Sequence, residues 1–456
     1  MPKKKRIYIL LSVFAALCLI TLIVSNVEEK KEDIKTNGES ILEIDLSDVT
    51  NLSWTINKNT LSFSKDETWT YDDDTNFPLD ETKISDLLGI FKSFQATYTI
   101  ENVTDYSQYG LSNPVCAIEI KTSDNTYTIK LGDVSKADSQ RYIDIGDGNA
   151  YLATNDPYDS YNASLSSLIL NDEIPSMKEV TSISFKGSET YTISKEEEDK
   201  TSLCEDDTYF TNDKALDNDL VDDYISTIKD LDLSNCVTYS VSDEELEEYG
   251  FNNPNLVINV SYTSKSNEED QALTLYVSSN VKELEEYNNA SDDDKEDLSV
   301  TRYIRIGDSK IIYPLSDTKY DSLMSYSYDD LRHQEIFYGD FDSVTSIDIS
   351  LDGNDYAFTN DDDTYKYNDE EIESTTLRNS ITSLVADSFT SDTSTNQKEI
   401  SITLNLDNED YKTYKMDFYR YDGTLCLVYV DDKPYAYVSR SSVVDIIEAV
   451  NQIVLN

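Results

Sequence analysis

An uncharged run at residues 7–24 opens the chain, and beyond it apolar and polar residues alternate in short stretches that recur in one order. Val49-Thr50-Asn51-Leu52-Ser53-Trp54 returns as Val180-Thr181-Ser182-Ile183-Ser184-Phe185, and again as Val344-Thr345-Ser346-Ile347-Asp348-Ile349. Each copy has the period of two expected of a half-buried strand. A second apolar segment follows each opening (61–63, 191–193, 356–358), and then a third (69–71, 209–210, 365–367).

The first two copies next align without a gap, 140 residues apart. Ile84, Leu88 and Phe91 fall opposite Tyr224, Ile228 and Leu231, spaced as one face of a helix. Tyr109-Gly110-Leu111-Ser112-Asn113-Pro114 falls opposite Tyr249-Gly250-Phe251-Asn252-Asn253-Pro254. Glycine there suits a positive φ, and the proline leads into a strand, so the segment reads as a turn. Ile118 and Ile120 match Ile258 and Val260, and Arg141-Tyr142-Ile143-Asp144-Ile145-Gly146-Asp147 returns as Arg302-Tyr303-Ile304-Arg305-Ile306-Gly307-Asp308. The offset grows across 196–207 and 278–300, two polar, charged insertions expected on surface loops.

The third copy keeps its opening strands, a helix (Leu377, Ile381, Leu384, Val385) and a strand with Ile400, Ile402, Leu404 and Leu406. It lacks the Tyr-Gly segment and closes on a helix at 442–455, so it reads as a truncated end unit. The expected fold class is α+β: three tandem repeat units of mainly antiparallel sheet with packed helices, after one N-terminal transmembrane helix. The expected boundaries are a cytoplasmic tail at 1–6, the transmembrane helix at 7–26 and a stalk at 27–42. Repeat unit 1 then covers 43–175, unit 2 covers 176–337, and the truncated unit 3 covers 338–456.

As a helix the uncharged run would span roughly 27 Å, close to a bilayer's hydrocarbon thickness. Lys3, Lys4, Lys5 and Arg6 precede it and Glu28 and Glu29 follow, so the positive-inside rule places the body outside the cytoplasm. Ile23-Val24-Ser25 is a poor cleavage site, and Leu17 before Cys18 is unsuited to lipidation. An uncleaved anchor in the cell membrane is expected.

Without those four cations the chain carries 33 basic and 90 acidic residues, a net charge of −57. Such a body repels nucleic acid and anionic lipid. Four cysteines (Cys116, Cys204, Cys236, Cys426) lie in it with no Cys-x-x-Cys pair, which is no disulfide framework. Cys116 aligns with Leu256 and Cys236 with Ala96, as packing positions would. Carboxylates around Cys204 should raise its pKa.

His333 is the only histidine, so histidine-based triads and multi-histidine zinc sites are short of imidazoles, and it is expected to be structural. The runs Asp72–Asp74, 196–199, Asp292–Asp294 and Asp361–Asp363 lack the Asp-x-Asp-x-Asp-Gly calcium loop and read as solvated charge. With 90 acids, a glycosidase-like carboxylate pair carries no signal. No glycine-rich phosphate loop is present among the 12 glycines.

The Trp54 strand, Trp69, Pro78, Tyr109-Gly110-Leu111, Pro114 and Arg141 to Gly146 resemble a bacterial family known as domain of unknown function 4340. Residues 249–254 and 302–307 carry the likeness a second time. The resemblance implies membrane-anchored, extracytoplasmic proteins encoded beside ABC-transporter and gliding-motility-type genes, and it supplies no catalytic residues. The expected role is a non-enzymatic accessory protein of a membrane assembly, of the ABC-transporter kind, acting through protein partners. The alternative is a cell-surface module binding glycan or another extracellular ligand. No catalytic, cofactor or metal site is expected.

Overall fold

A computed structural model describes residues 39–455, apart from 102, 197–199, 362–363 and 395. The tail at 1–6 and the transmembrane helix at 7–26 lie outside the described residues. Among those described, no helix is long and apolar enough to cross a membrane.

Three antiparallel sheets form the framework of the described residues. In spatial order the first runs Glu39–Leu42, Phe94–Ile100, Ala150–Ala153, Arg141–Asp144, Thr126–Val134, Cys116–Thr122, Val49–Ile56, Asn59–Lys65 and Trp69–Tyr71. The second runs Tyr313–Leu315, Arg302–Ile306, Asp270–Ser279, Leu256–Ser264, Met177–Lys186, Thr190–Lys195, Tyr209–Thr211 and Lys214–Ala215. The third runs Ser388–Phe389, Lys433–Ser439, Leu425–Val430, Thr413–Arg420, Lys398–Leu406, Val344–Leu351, Asn354–Asp361, Thr364–Tyr367 and Glu370–Glu371. From Ala150–Ala153 to Trp69–Tyr71 the first sheet has seven strands, and the other two repeat them in the same order. The repeats are physical units.

The third copy, expected as truncated, therefore has its full sheet. Among its described residues it lacks the helical turn that carries the Tyr-Gly motif. Its strands from Thr413 to Ser439 do not carry the Arg-Tyr-Ile-x-Ile-Gly-Asp motif, so motif matching passes over them.

Each opening strand slips register at its Val-Thr motif, between Val49 and Asn51, Val180 and Ser182, and Val344 and Ser346; the second also slips between Met177 and Glu179. The Thr of the Val-Thr-(Asn/Ser) motif is the extra residue of a β-bulge. Tight hairpins close on polar pairs at positive φ, such as Asn57 (52°) with Lys58 (71°) and Asp352 (52°) with Gly353 (79°).

Burial alternates along the strands, as in Val344–Leu351, and helices cover the buried face. In the first copy Glu81–Gly89 follows the third core strand and buries Ile84, Leu87 and Leu88. Tyr161, from the short helix Tyr158–Tyr161, meets Trp54 edge-on at 5.4 Å and donates its hydroxyl to the Leu87 carbonyl at 2.9 Å. The second copy makes the reverse bond: Tyr224 in Asn218–Lys229 donates to the Leu323 carbonyl of Asp317–Met324 at 2.8 Å. In the third, Arg440–Val454 packs with Thr375–Thr382 over a core that includes Ile347, Phe358, Ile402, Phe418 and Ile446.

The described chain forms two compact units. One holds the first sheet, through Asp172, together with Leu233–Val241; the other holds Glu173–Asp232 and the chain from Ser242 onward, with the second and third sheets. Leu233–Val241 aligns with the strand Phe94–Ile100, which has no counterpart in the second sheet. In the first unit Tyr239 meets the Phe77 ring at 5.0 Å and donates to Asp74 Oδ2 at 3.0 Å.

Two assignments from composition change. Glu39–Leu42, at the end of the stalk segment, is a strand paired with Phe94–Ile100. In the insertion at 196–207, Leu203 is 4% exposed and belongs to the core of the third sheet, so part of this acidic loop is interior. The insertion at 278–300 forms the helix Val281–Asn289, which buries none of its residues, and the turn Asp292–Lys295.

Candidate functional site

The two motifs that recur most clearly meet in space. Gly110 (φ 72°) ends the 3-10 turn Tyr106–Tyr109, and Gly250 (φ 79°) follows the helix Asp243–Glu248. Leu111 N–H donates to the Tyr106 carbonyl at 3.0 Å, and Phe251 N–H donates to that of Leu246 at 2.8 Å. Both are Schellman-type helix ends with a buried apolar residue after the glycine. The neighbouring tyrosines pack on those of the Arg-Tyr-Ile strands: Tyr109 on Tyr142 and Tyr249 on Tyr303, each with ring centroids 4.9 Å apart.

Arg141 is buried beside this turn. Its Nε donates to both oxygens of Asp156 at 2.7 and 2.9 Å, Nη1 donates to the Gly132 carbonyl at 2.7 Å, and the guanidinium lies 4.6 Å from the Tyr158 ring. Arg302 repeats the stacking on Tyr320 at 4.2 Å, and its Nη1 donates to Ser279 Oγ at 2.6 Å. These contacts account for the two motifs as structure. Beside the second turn lies a groove of about 840 Å³, lined by Asn252, Asn253, Asn255, Asn288 and Asn289 among others.

A different kind of site lies on the third sheet. Lys398, Arg420, Tyr421 and Arg440, with Glu399 and Asn396, line a cavity of about 630 Å³. Tyr421 is 50% exposed, and its ring lies 4.6 Å from that of Tyr437. Lys398 pairs with Asp417 at 2.9 Å and Arg440 with Glu399 at 3.3 Å, while Arg420 Nε donates to the Asp422 carbonyl at 3.2 Å. In a chain with far more acids than bases, three cations beside an exposed aromatic make a distinct surface. Neither alternation nor motif singled it out, because it assembles from four separate stretches of chain.

His333 is brought among carboxylates. Nε2 lies 3.0 Å from both Asp207 oxygens, Nδ1 lies 3.5 Å from Asp217 Oδ2, and the ring stacks on Tyr338 at 4.2 Å. No local pattern links His333 to Asp207, 126 residues away. Glu335, in the same linker, pairs in an isolated bridge with Val385 of the third copy.

The acidic runs do local work. Asp72 accepts from Ser62, Asp73 from the Tyr71 hydroxyl at 3.1 Å, and Asp74 from Asn76 N–H at 2.9 Å. Asp292, Asp293 and Asp294 form the first turn of a short helix, where negative charge suits the helix dipole. Asp361 pairs with Lys366 at 2.6 Å. Residues 197–199 and 362–363 lie outside the described residues.

Burial pushes the Cys116 thiol up to about 12, Arg141 opposing, and burial with Glu399 does the same for Cys426. The Cys204 thiol is also raised, first by burial and then by Asp207 and Asp206. None of the three favours the reactive thiolate.

Residues 69–235 match the family model described as Domain of unknown function (DUF4340). No curated protein and no solved structure matches the chain. That stretch runs from the third strand of the first copy past the first helix of the second, and over it the chain is similar to this family.

Proposed function

We propose that this protein, similar over residues 69–235 to the DUF4340 family, is a non-enzymatic, membrane-anchored, extracytoplasmic accessory subunit of a membrane assembly of the ABC-transporter kind. The observation that carries the binding role is the cavity of Lys398, Arg420, Tyr421 and Arg440. Arginine and tyrosine side by side are the usual anchors of protein interfaces, and the cations select an acidic segment of a partner. The apolar run at 7–24 with its flanking charges supports the anchor, and the family resemblance supports the transporter context.

The test is purification of the anchored protein from its own membranes, with the co-purifying chains identified. The expected result is a permease and an ATPase that co-purify with the wild type and are lost with Arg420→Glu and Tyr421→Ala. Recovery of the same chains from both variants would remove the cavity from the interface. Recovery of no transporter subunit from the wild type would remove the assembly.

The asparagine-lined groove beside Gly250 favours a second reading, a surface module for glycan, because side-chain amides match sugar hydroxyls as donor and acceptor. Saturable binding to cell-wall or capsular oligosaccharide, abolished by Asn253→Ala with Asn288→Ala, would place it first.

A further inference from the structure

The geometry around His333 holds more than an ion pair. Nε2 stands 3.0 Å from both oxygens of Asp207, a carboxylate 2% exposed, so this nitrogen carries a proton and donates it. Nδ1 then faces Asp217 Oδ2 at 3.5 Å. That separation is long for a hydrogen bond, and in a neutral imidazole it sets a lone pair against an anion. Two ligand atoms on a tetrahedral zinc, each about 2.0–2.2 Å from the metal, stand roughly 3.3–3.5 Å apart. Glu335 supplies a third atom: one imidazole nitrogen of His333 and one oxygen each of Asp217 and Glu335 lie within 4.8 Å of one another.

The surroundings hold this set in place. Asp217 Oδ1 accepts from the N–H groups of Asp219 and Leu220 at 2.9 and 3.3 Å, which leaves Oδ2 for the imidazole side. Tyr338 stacks on the ring at an interplanar angle of 6° and sets its plane. A buried carboxylate on the far nitrogen is the arrangement that orients metal-bound imidazoles and raises their basicity.

We propose that His333 Nδ1, Asp217 and Glu335 bind one divalent transition-metal ion with zinc's preferences, that a water completes the tetrahedron, and that Asp207 positions the imidazole. One nitrogen with two carboxylates suits zinc, whereas calcium and magnesium take all-oxygen sets. Asp217 caps the helix Asn218–Lys229 of the second copy, and Glu335 is paired with Val385 of the third. The ion therefore joins segments from both copies, and its binding stabilises the folded chain by mass action.

The test is zinc titration of the full chain in detergent after chelator treatment, with a zinc indicator as competitor and thermal unfolding as second readout. The wild type is expected to take up one zinc above the weak background of its surface acids and to melt higher when loaded. Glu335→Gln, which keeps the histidine–aspartate pairs and the backbone bridge, should melt like the metal-free wild type and lose that one equivalent. His333→Ala should lose it as well. Asp207→Asn should weaken binding about 10–100-fold, and an equal concentration of calcium should not displace the zinc. Indistinguishable zinc binding by the wild type and Glu335→Gln, or no saturable equivalent in the wild type, would overturn the proposal and leave His333 as a structural contact between two aspartates.

Discussion

Thr181 Oγ1 donates to the carbonyl of Ser261 at 3.2 Å, across the point where the opening strand of the second sheet slips register against its neighbour. Thr50 makes the same bond to Lys121 at 3.4 Å, and Thr345 makes it to Asn405 at 3.1 Å. A bulge interrupts the ladder and leaves a carbonyl short of a backbone donor, and the threonine hydroxyl supplies one. The recurrence of Val-Thr-(Asn/Ser) follows: valine is buried before the bulge, threonine is the extra residue, and a small polar residue resumes the ladder.

Thr181→Val keeps the side chain's shape and removes the donor. The site is exposed and water can replace the hydroxyl, so the expected loss is at the low end of about 0.5–1.5 kcal/mol. Urea unfolding of Thr50→Val, Thr181→Val and Thr345→Val should give similar losses. Losses near zero in all three would separate the bulge from its hydroxyl.

Gly110 and Gly250 occupy equivalent left-handed positions, and a Cβ on either would crowd its neighbours. It would stand 2.6 Å from Asp133 Cγ at Gly110 and 2.4 Å from Ser278 Oγ at Gly250. Gly110→Val and Gly250→Val should each cost at least about 1–3 kcal/mol from backbone strain. Hydrogen exchange should rise in the variant's own sheet, and an equal rise in all three sheets would contradict their independence as units.

Acid should weaken the third sheet through Asp417, whose side chain is 4% exposed and lies between Lys398 and Lys415 at 2.9 and 3.2 Å. Burial alone would raise its pKa, but Ser401, Lys398 and Lys415 outweigh it and hold the carboxyl below its usual value of 3.8. The folded value is the lower one, so the stabilisation is full above the unfolded value. It is lost as pH falls through the folded one. Asp417→Asn should flatten the stability profile below about pH 4 and lower stability at pH 7. An unchanged acid limb would assign the acid sensitivity to other carboxylates.

The charge pattern around residues 7–24 predicts a protein that pellets with membranes and keeps its own N-terminus. Fractionation with N-terminal sequencing checks this. A mature chain starting near Asn26 and found in the medium would show that the segment is a cleaved signal.

Strand alternation, helical spacing and the glycine before an apolar residue are rules of short range, so one sequence was enough to place the opening strands, the bodies of the helices and both glycine turns, although Thr375–Thr382 stops short of Leu384 and Val385. The order of strands in the first two copies was legible as a shared order, because the same local patterns recur ungapped from Ile84 to Ile120 and from Tyr224 to Val260. Other features depend on which distant segments come together. Leu203 sits in an acidic stretch and still enters the core of the third sheet. Residues 233–241 align with the strand Phe94–Ile100 of the first copy and yet belong to the first compact unit. Asp207 and His333, like Lys398, Arg420 and Arg440, gain their chemistry only from packing. Side chains far apart in sequence share a dielectric, a charge or a ligand only after the sheets have folded, and periodicity carries no information about that. The sequence by itself determined the repeated unit and its turns; tertiary structure decided where the histidine, the cations and residues 233–241 lie.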